Sequence, residues 1–126
     1  MPLDSNSPLT AYTAEKKDLY DMGEMPPLGH VPKQMYGWAI RKERHGEPDT
    51  AMLQEVLDVP EFDNYDVLVL VMAAGINYNG DWAALGVPIS PFDGHKQPYH
   101  IAGSDASGIV WAVGSKVTRW KLGDEV

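Results

Sequence analysis

Val67–Met72, V-L-V-L-V-M, most narrows what this chain can fold into. A continuous apolar run rich in β-branched residues reads as a strand covered on both faces. It is far too short to cross a membrane as a helix. The run feeds directly into A-A-G-I-N-Y-N-G-D-W-A-A over Ala73–Ala84. There Asn77 and Asn79 fall where the strand ends and a short helix, predicted over Asn77–Leu85, begins. Asparagine is a favoured helix N-cap, so either residue has a structural use at that point.

The sequence around this run is punctuated by turns. Residues 1–12 read as a loose arm. Thr13–Met22 is predicted as a short helix capped by Thr13, with Gly23 as the left-handed residue after it. Met25–Lys33 is rich in proline and reads as extended linker. From Met35 the period becomes two: Tyr36, Trp38 and Ile40 alternate with Gly37, Ala39 and Arg41, which predicts a half-buried strand. A turn over His45–Asp49 leads to a second strand, Leu53–Val59, stopped by Pro60. Gly86–Gln97 is a loop long enough to suspect of function. Ile109–Val113 is a strand, Gly114-Ser115 a tight turn, and Lys116–Trp120 the predicted return. Glu125 and Val126 read as the start of a further strand. Trp82, Trp111 and Trp120 are expected in the core or at an interface. The expected architecture is a mainly antiparallel, barrel-like β domain with short helices.

Composition limits the partners. The chain has 126 residues, enough for one domain. Its 18 acidic against 10 basic residues give a formal charge of −8, which disfavours nucleic acid and anionic membranes. The same shortage of basic residues implies that the phosphates of any nucleotide ligand are met elsewhere. There is no cysteine, hence no disulfide framework and no thiolate ligand or nucleophile. Met1–Ser7 lacks the layout of a secretory signal, so a cytoplasmic protein is expected.

Three segments carry a resemblance: V-L-V-L-V-M-A-A-G-I-N-Y-N, H-I-A-G-S-D-A-S-G-I-V-W-A-V-G-S-K-V and W-K-L-G-D-E-V. Together they resemble the N-terminal GroES-like catalytic domain of medium-chain dehydrogenases/reductases. Within that superfamily the match is to the crotonyl-CoA carboxylase/reductases. It extends through Met35–Gly46, Pro88–Gly94 and Tyr99–Gly108, and into the arm T-A-E-K-K-D-L-Y.

The resemblance implies a GroES-like, partly open β-barrel with short helices. Residues 1–34 would form an arm with a short helix, and residues 35–126 the catalytic-domain part. It also implies a Rossmann domain in the complete enzyme. No G-x-G-x-x-G occurs here, so this chain is expected to be an N-terminal fragment, inactive without its C-terminal remainder. Apolar surface is expected to lie exposed on it. The implied reaction is NADPH-dependent: hydride adds to Cβ of a 2-enoyl-CoA such as crotonyl-CoA, and the enolate captures CO2 to give ethylmalonyl-CoA. A homo-oligomer is implied for the full-length protein.

The enolate must meet CO2 before it meets a proton. An amide N–H orients an oxygen of CO2 without being acidic enough to protonate the enolate. The resemblance assigns that role to Asn79, the second asparagine of N-Y-N. It places Asn77 at the same turn near the cofactor. The partners it implies, a Phe-Glu pair and a histidine, lie beyond Val126. Gly103-Ser104-Asp105 stands where zinc-dependent relatives carry Gly-His-Glu, and no metal is expected. His100 is read as a structural residue, and His30, His45 and His95 show no ligand spacing. Pro88–Gly94 and Tyr99 either wall an acyl-CoA pocket or form a plain loop. No tyrosine stands near Gly86–Pro88, where some enoyl reductases of the superfamily place a proton donor, and this favours carboxylation. Two other readings stay open: a plain NADPH-dependent enoyl or quinone reductase, and a GroES-like module that binds partners without chemistry.

Overall fold

The two alternating stretches form neighbouring strands. Gln34–Ile40 is β1 and Leu53–Asp58 is β2. The structure, a computed structural model, describes residues 15–126. β1 lies between β2 and the short β4, His100–Ile101. It pairs antiparallel with β4, Ala39 facing Ile101 and Ile40 facing His100. Val67–Ala73 forms β3, which pairs with β5, Ser107–Val113. The helices are short: α1 over Pro48–Ala51 and α2 over Tyr78–Leu85. Single 3-10 turns cover Lys42–Arg44 and Pro91–Asp93.

The chain packs as two compact units. One takes the described residues up to Tyr36 with Leu57–Val71 and Gly108–Val126; the other takes Gly37–Val56 and Met72–Ser107. In the first, Val110 and Leu57 are buried. Trp111 is 4% exposed, and its indole N–H donates to the His30 carbonyl at 3.0 Å. In the second, Ile40, Ala51 and Ala84 form the centre, with Met52, Ala83, Phe92 and Ala102 packed on it. Four of those residues are alanines, so α1 and α2 approach closely and even one added methyl would be felt.

Several expectations are corrected. Residues 15–22 are not helical. Side chains take up backbone groups there instead: the Lys17 N–H donates to the Tyr20 hydroxyl at 2.8 Å, and that hydroxyl donates to the Glu15 carbonyl at 2.7 Å. So short a segment does not offset the cost of helix nucleation when local side-chain bonds compete. Gly23 does take a left-handed conformation, at φ +88°. Thr13, the expected cap, lies outside the described residues.

Lys116–Trp120 does not return as a strand. The turn at Gly114 forms, but the Gly114 N–H donates to the Asp66 carbonyl and the Lys116 N–H to the Asn64 carbonyl, both at 2.8 Å. Those bonds spend the donors a hairpin ladder would need. Pairing resumes at Glu125, which bridges Ile109 antiparallel, as expected for the start of a strand.

β3 is not covered on both faces among the described residues. Its one neighbour is β5, and Val71 and Met72 are 53% and 52% exposed. On β1 the aromatic end is the open one: Trp38 is 56% exposed, while Ala39 and Ile40 are buried. Ile40, on the same face as Tyr36 and Trp38, enters the alanine-rich core, so that face is covered at its Ile40 end and open at its aromatic end.

Candidate functional site

The strand-to-helix turn after β3 is built by one side chain. Asn77 is the N-cap of α2, with extended backbone at φ −141° and ψ 167°. Its Oδ1 accepts the Asn79 N–H at 2.8 Å, satisfying one of the donors that a helix start leaves unpaired. Its Nδ2 donates to Ser104 Oγ at 2.7 Å and lies 3.5 Å from Asp105 Oδ2. Both ends of one amide are engaged, and they tie the turn to the segment that follows β4.

Gly75 permits that approach. A Cβ at this position would meet Asp105 Oδ2 at 2.8 Å. Ala73, Ala74 and Gly75 with Asp105, Ala106 and Ser107 line an open depression of about 360 Å³. None of these six residues is basic.

Asn79 is placed differently from Asn77. It sits in the first turn of α2, exposed, and its side-chain amide makes no hydrogen bond to any described residue. The cap that either asparagine could have supplied is supplied by Asn77. Beside it, Tyr78 and Trp82 pack edge to face with ring centroids 5.8 Å apart. Ile76 and Tyr78 are exposed, as are Val87, Ile89 and Ile101, so the expected apolar surface is present. Trp82 is also largely exposed, unlike the buried Trp111.

The other end of α2 is packed. Gly86 closes it in the left-handed region at φ +77°, with its N–H on the Trp82 carbonyl at 2.8 Å. The Ala84 carbonyl accepts from the Gly46 N–H and from His45 Nδ1, both at 3.0 Å. A carbonyl only accepts, so His45 carries its proton on Nδ1. Its Nε2 then accepts the Ser90 hydroxyl proton at 2.8 Å, while Ser90 Oγ accepts the Phe92 N–H at 3.2 Å.

A pair of histidines secures the loop that follows. The Gln97 N–H donates to His95 Nδ1 at 3.1 Å, which leaves the proton of His95 on Nε2. That N–H donates to His100 Nδ1 at 3.2 Å. Phe92 packs edge to face with His45, His95 and His100. Burial, and then the nearby His95, hold His100 below the usual imidazole range. His100 is thus bonded within the loop it closes. The pairing with His95 was not legible from spacing.

Elsewhere, Glu55 accepts from Arg41 at 2.9 Å and Arg44 at 2.8 Å. The hydrogen bonds from Arg41 and then Arg44 hold its carboxyl below the usual range. Arg41 also lies over the Tyr99 ring. Neither Tyr99 nor Pro88–Gly94 lines the depression beside Asn77. Among the described residues no group of three His, Asp or Glu side chains is placed to hold a metal ion. No helix of the described residues is long and apolar enough to cross a membrane.

Comparison with known proteins gives one family and a consistent set of relatives. The model of the alcohol dehydrogenase GroES-like domain matches residues 63–126. The crotonyl-CoA carboxylase/reductase of Cereibacter sphaeroides is 75% identical over 126 residues, which is 100% of this chain and 29% of that protein. A solved crotonyl-CoA carboxylase/reductase superposes with a TM-score of 0.87 at 70% identity, covering 90% of this chain and 26% of its own. Another, solved in complex with NADP, gives 0.76 at 54% identity, covering 86% of this chain and 28% of its own. The chain therefore spans less than a third of the length of these relatives. The mainly β, GroES-like fold and the carboxylase/reductase resemblance read from the sequence both agree with these findings.

Proposed function

The chain belongs to the alcohol dehydrogenase GroES-like domain family, and from that premise we propose that it is the N-terminal part of an NADPH-dependent reductive carboxylase. The substrate is a 2-enoyl-CoA, crotonyl-CoA in the first instance, and the product is ethylmalonyl-CoA. Residues 1–34 serve as an arm and residues 35–126 as the GroES-like part, completed by a C-terminal remainder. The observation that carries this reading is 75% identity to a crotonyl-CoA carboxylase/reductase across the whole chain.

The depression beside Asn77 fits one end of the cofactor. Ala73, Ala74, Gly75 and Ala106 present no side chain beyond Cβ, so a flat ring can lie against them. With no basic residue in the lining, the phosphates must be met by other parts of the protein. NADPH, when bound, supplies the hydride that reaches Cβ of the enoyl thioester. Asn77 shapes the turn at the edge of that depression.

Asn79 holds CO2. Support comes from the division of labour at the turn: Asn77 is spent on the cap, and the Asn79 amide is exposed and bonded to none of the described residues. As Cα of the enolate attacks the carbon of CO2, a C–C bond forms and one C=O electron pair moves onto oxygen. An amide N–H directed at that oxygen stabilises the growing charge without delivering a proton.

The test is NADPH oxidation by the full-length protein with crotonyl-CoA, with and without bicarbonate plus carbonic anhydrase, analysing both products. Asn79→Ala should shift the ratio of ethylmalonyl-CoA to butyryl-CoA roughly tenfold or more toward butyryl-CoA, the worth of a hydrogen bond to a charged acceptor. Asn79→Asp should shift it further, because a carboxylate repels the developing one. Folding stability should change by less than about 0.5 kcal/mol in either variant, as for an exposed residue without bonds. Reduction by wild type to butyryl-CoA alone, whatever the CO2 supply, would replace the carboxylase with a plain enoyl reductase.

A further inference from the structure

The Asn77 amide has two ends, and one of them is bonded to a residue 27 positions away. In the observed orientation Oδ1 faces the Asn79 N–H and Nδ2 faces Ser104 Oγ and Asp105 Oδ2. Turning the amide over would set its NH2 against the Asn79 N–H, donor against donor. It would also set Oδ1 toward the Asp105 carboxylate. Ser104 can accept or donate, and Asp105, when ionised, can only accept. The Asn79 N–H and the Asp105 carboxylate therefore both favour the helix-capping orientation, and in it Ser104 accepts from Nδ2.

The backbone presents Ser104 for this purpose. Gly103 sits at φ +108°, a conformation that side-chain-bearing residues rarely adopt, and it turns the chain just after β4. Gly75 lets Asp105 come close from the other side. Ser104 itself is exposed and contributes nothing to the core. Its bond to Asn77 is the shortest contact made by the N-terminal turn of α2.

We infer that Ser104 is a positioning residue: by holding the Asn77 side chain in its capping orientation it fixes the first turn of α2 and so the direction in which Asn79 points. The consequence for carboxylation rests on the reading of Asn79 given above; the consequence for the turn does not. Ser104 touches no reacting atom in this account.

The experiment uses the full-length protein labelled with 15N-asparagine, as wild type, Ser104→Ala and Ser104→Thr, with Asn79→Ala as reference for products. The exchange rate of the Asn79 backbone N–H reads the turn, and the ethylmalonyl-CoA to butyryl-CoA ratio reads its use. Ser104→Ala should speed exchange at Asn79 roughly fivefold, as expected for one lost hydrogen bond. It should also move the product ratio in the same direction as Asn79→Ala, by a smaller factor. Ser104→Thr keeps a hydroxyl and should restore both readouts.

Unchanged exchange in Ser104→Ala overturns the proposal. Faster exchange with an unmoved product ratio, in a protein where Asn79→Ala does move it, overturns the link to carboxylation. Faster exchange rescued by threonine, where Asn79→Ala leaves the ratio alone, upholds the positioning role and brings down the assignment of CO2 to Asn79 instead.

Discussion

α2 is held at its N-terminus by polar atoms on exposed residues and at its C-terminus by packing. At the first end Asn77 bonds Asn79 and Ser104, and the residues around it lie open. At the second, Ala84 is fully buried against Ile40 and Ala51, its carbonyl accepts two bonds, and Gly86 lies under the His45 ring. A helix of eight residues is too short to be stable on its own account. The packed end therefore supplies stability, and the polar end supplies direction. A group that must face a small ligand belongs at the polar end, where its surroundings are fixed without being filled.

That contrast is most sharply tested at Gly86. A Cβ there would sit 2.9 Å from the His45 ring, and the backbone is at φ +77°. Gly86→Ala adds about 1–2 kcal/mol of left-handed strain. Displacing His45 adds a further overpacking cost of about 1 kcal/mol or more. We expect a loss of about 2–3 kcal/mol in urea unfolding of the full-length protein. A loss under about 0.5 kcal/mol would mean that this end yields easily and would erase the distinction between the two.

At the N-terminal end the expected effect is smaller and chemically specific. Asn77→Ala removes the cap and should cost about 1 kcal/mol. At most helix starts aspartate replaces asparagine without loss. Here it should not. Asn77→Asp keeps an oxygen for the Asn79 N–H but removes the donors to Ser104. It also points a second carboxylate toward Asp105, which now lies 3.5 Å from Asn77 Nδ2. Equal or lower stability for Asn77→Asp than for Asn77→Ala sharpens the picture of a two-sided amide; full retention by Asn77→Asp would reduce Asn77 to an ordinary cap.

The sequence shows the local half of this arrangement and not the distant half. An apolar run, two asparagines and the loop from Gly86 were enough to place β3 and α2 within a residue or so. Those signals act over a few residues of backbone. Which asparagine caps was not legible, because both are good caps and the group that engages the other end of the Asn77 amide, Ser104, lies far along the chain. His45 and Ser90 meet across 45 residues, and neither spacing nor periodicity records that. The failed helix at 15–22 and the failed return at Lys116–Trp120 have one cause. In each, competing hydrogen bonds, with the Tyr20 hydroxyl in the first and to Asn64 and Asp66 in the second, engage the backbone groups that the element needs. Val71 and Met72, read in sequence as part of a strand covered on both faces, are exposed, since hydrophobicity alone does not say what covers a residue.

The smallest expected effect concerns pH, and it separates the two ends in another way. The loop leaving the packed end returns through His95 and His100 into β4, and β4 leads to Ser104. His100 is held below its usual value of 6.5 by burial and then by His95. A base with a depressed folded pKa binds fewer protons in the folded than in the unfolded state as the pH passes down through 6.5. Its contribution to stability is therefore complete above about pH 6.5 and is lost as the pH falls through the folded value. Protonation at Nδ1 would also set an N–H against the His95 N–H that now donates to it. Melting temperature followed from pH 7.5 to 5 should fall more steeply for wild type than for His100→Gln. Exchange of the Asn79 amide, read on the same samples, should quicken on acidification, while the Gly86 N–H, bonded to Trp82 at the packed end, should hold. Parallel quickening at both amides would show that acid loosens the helix as a whole, and the two ends would then not be independently held.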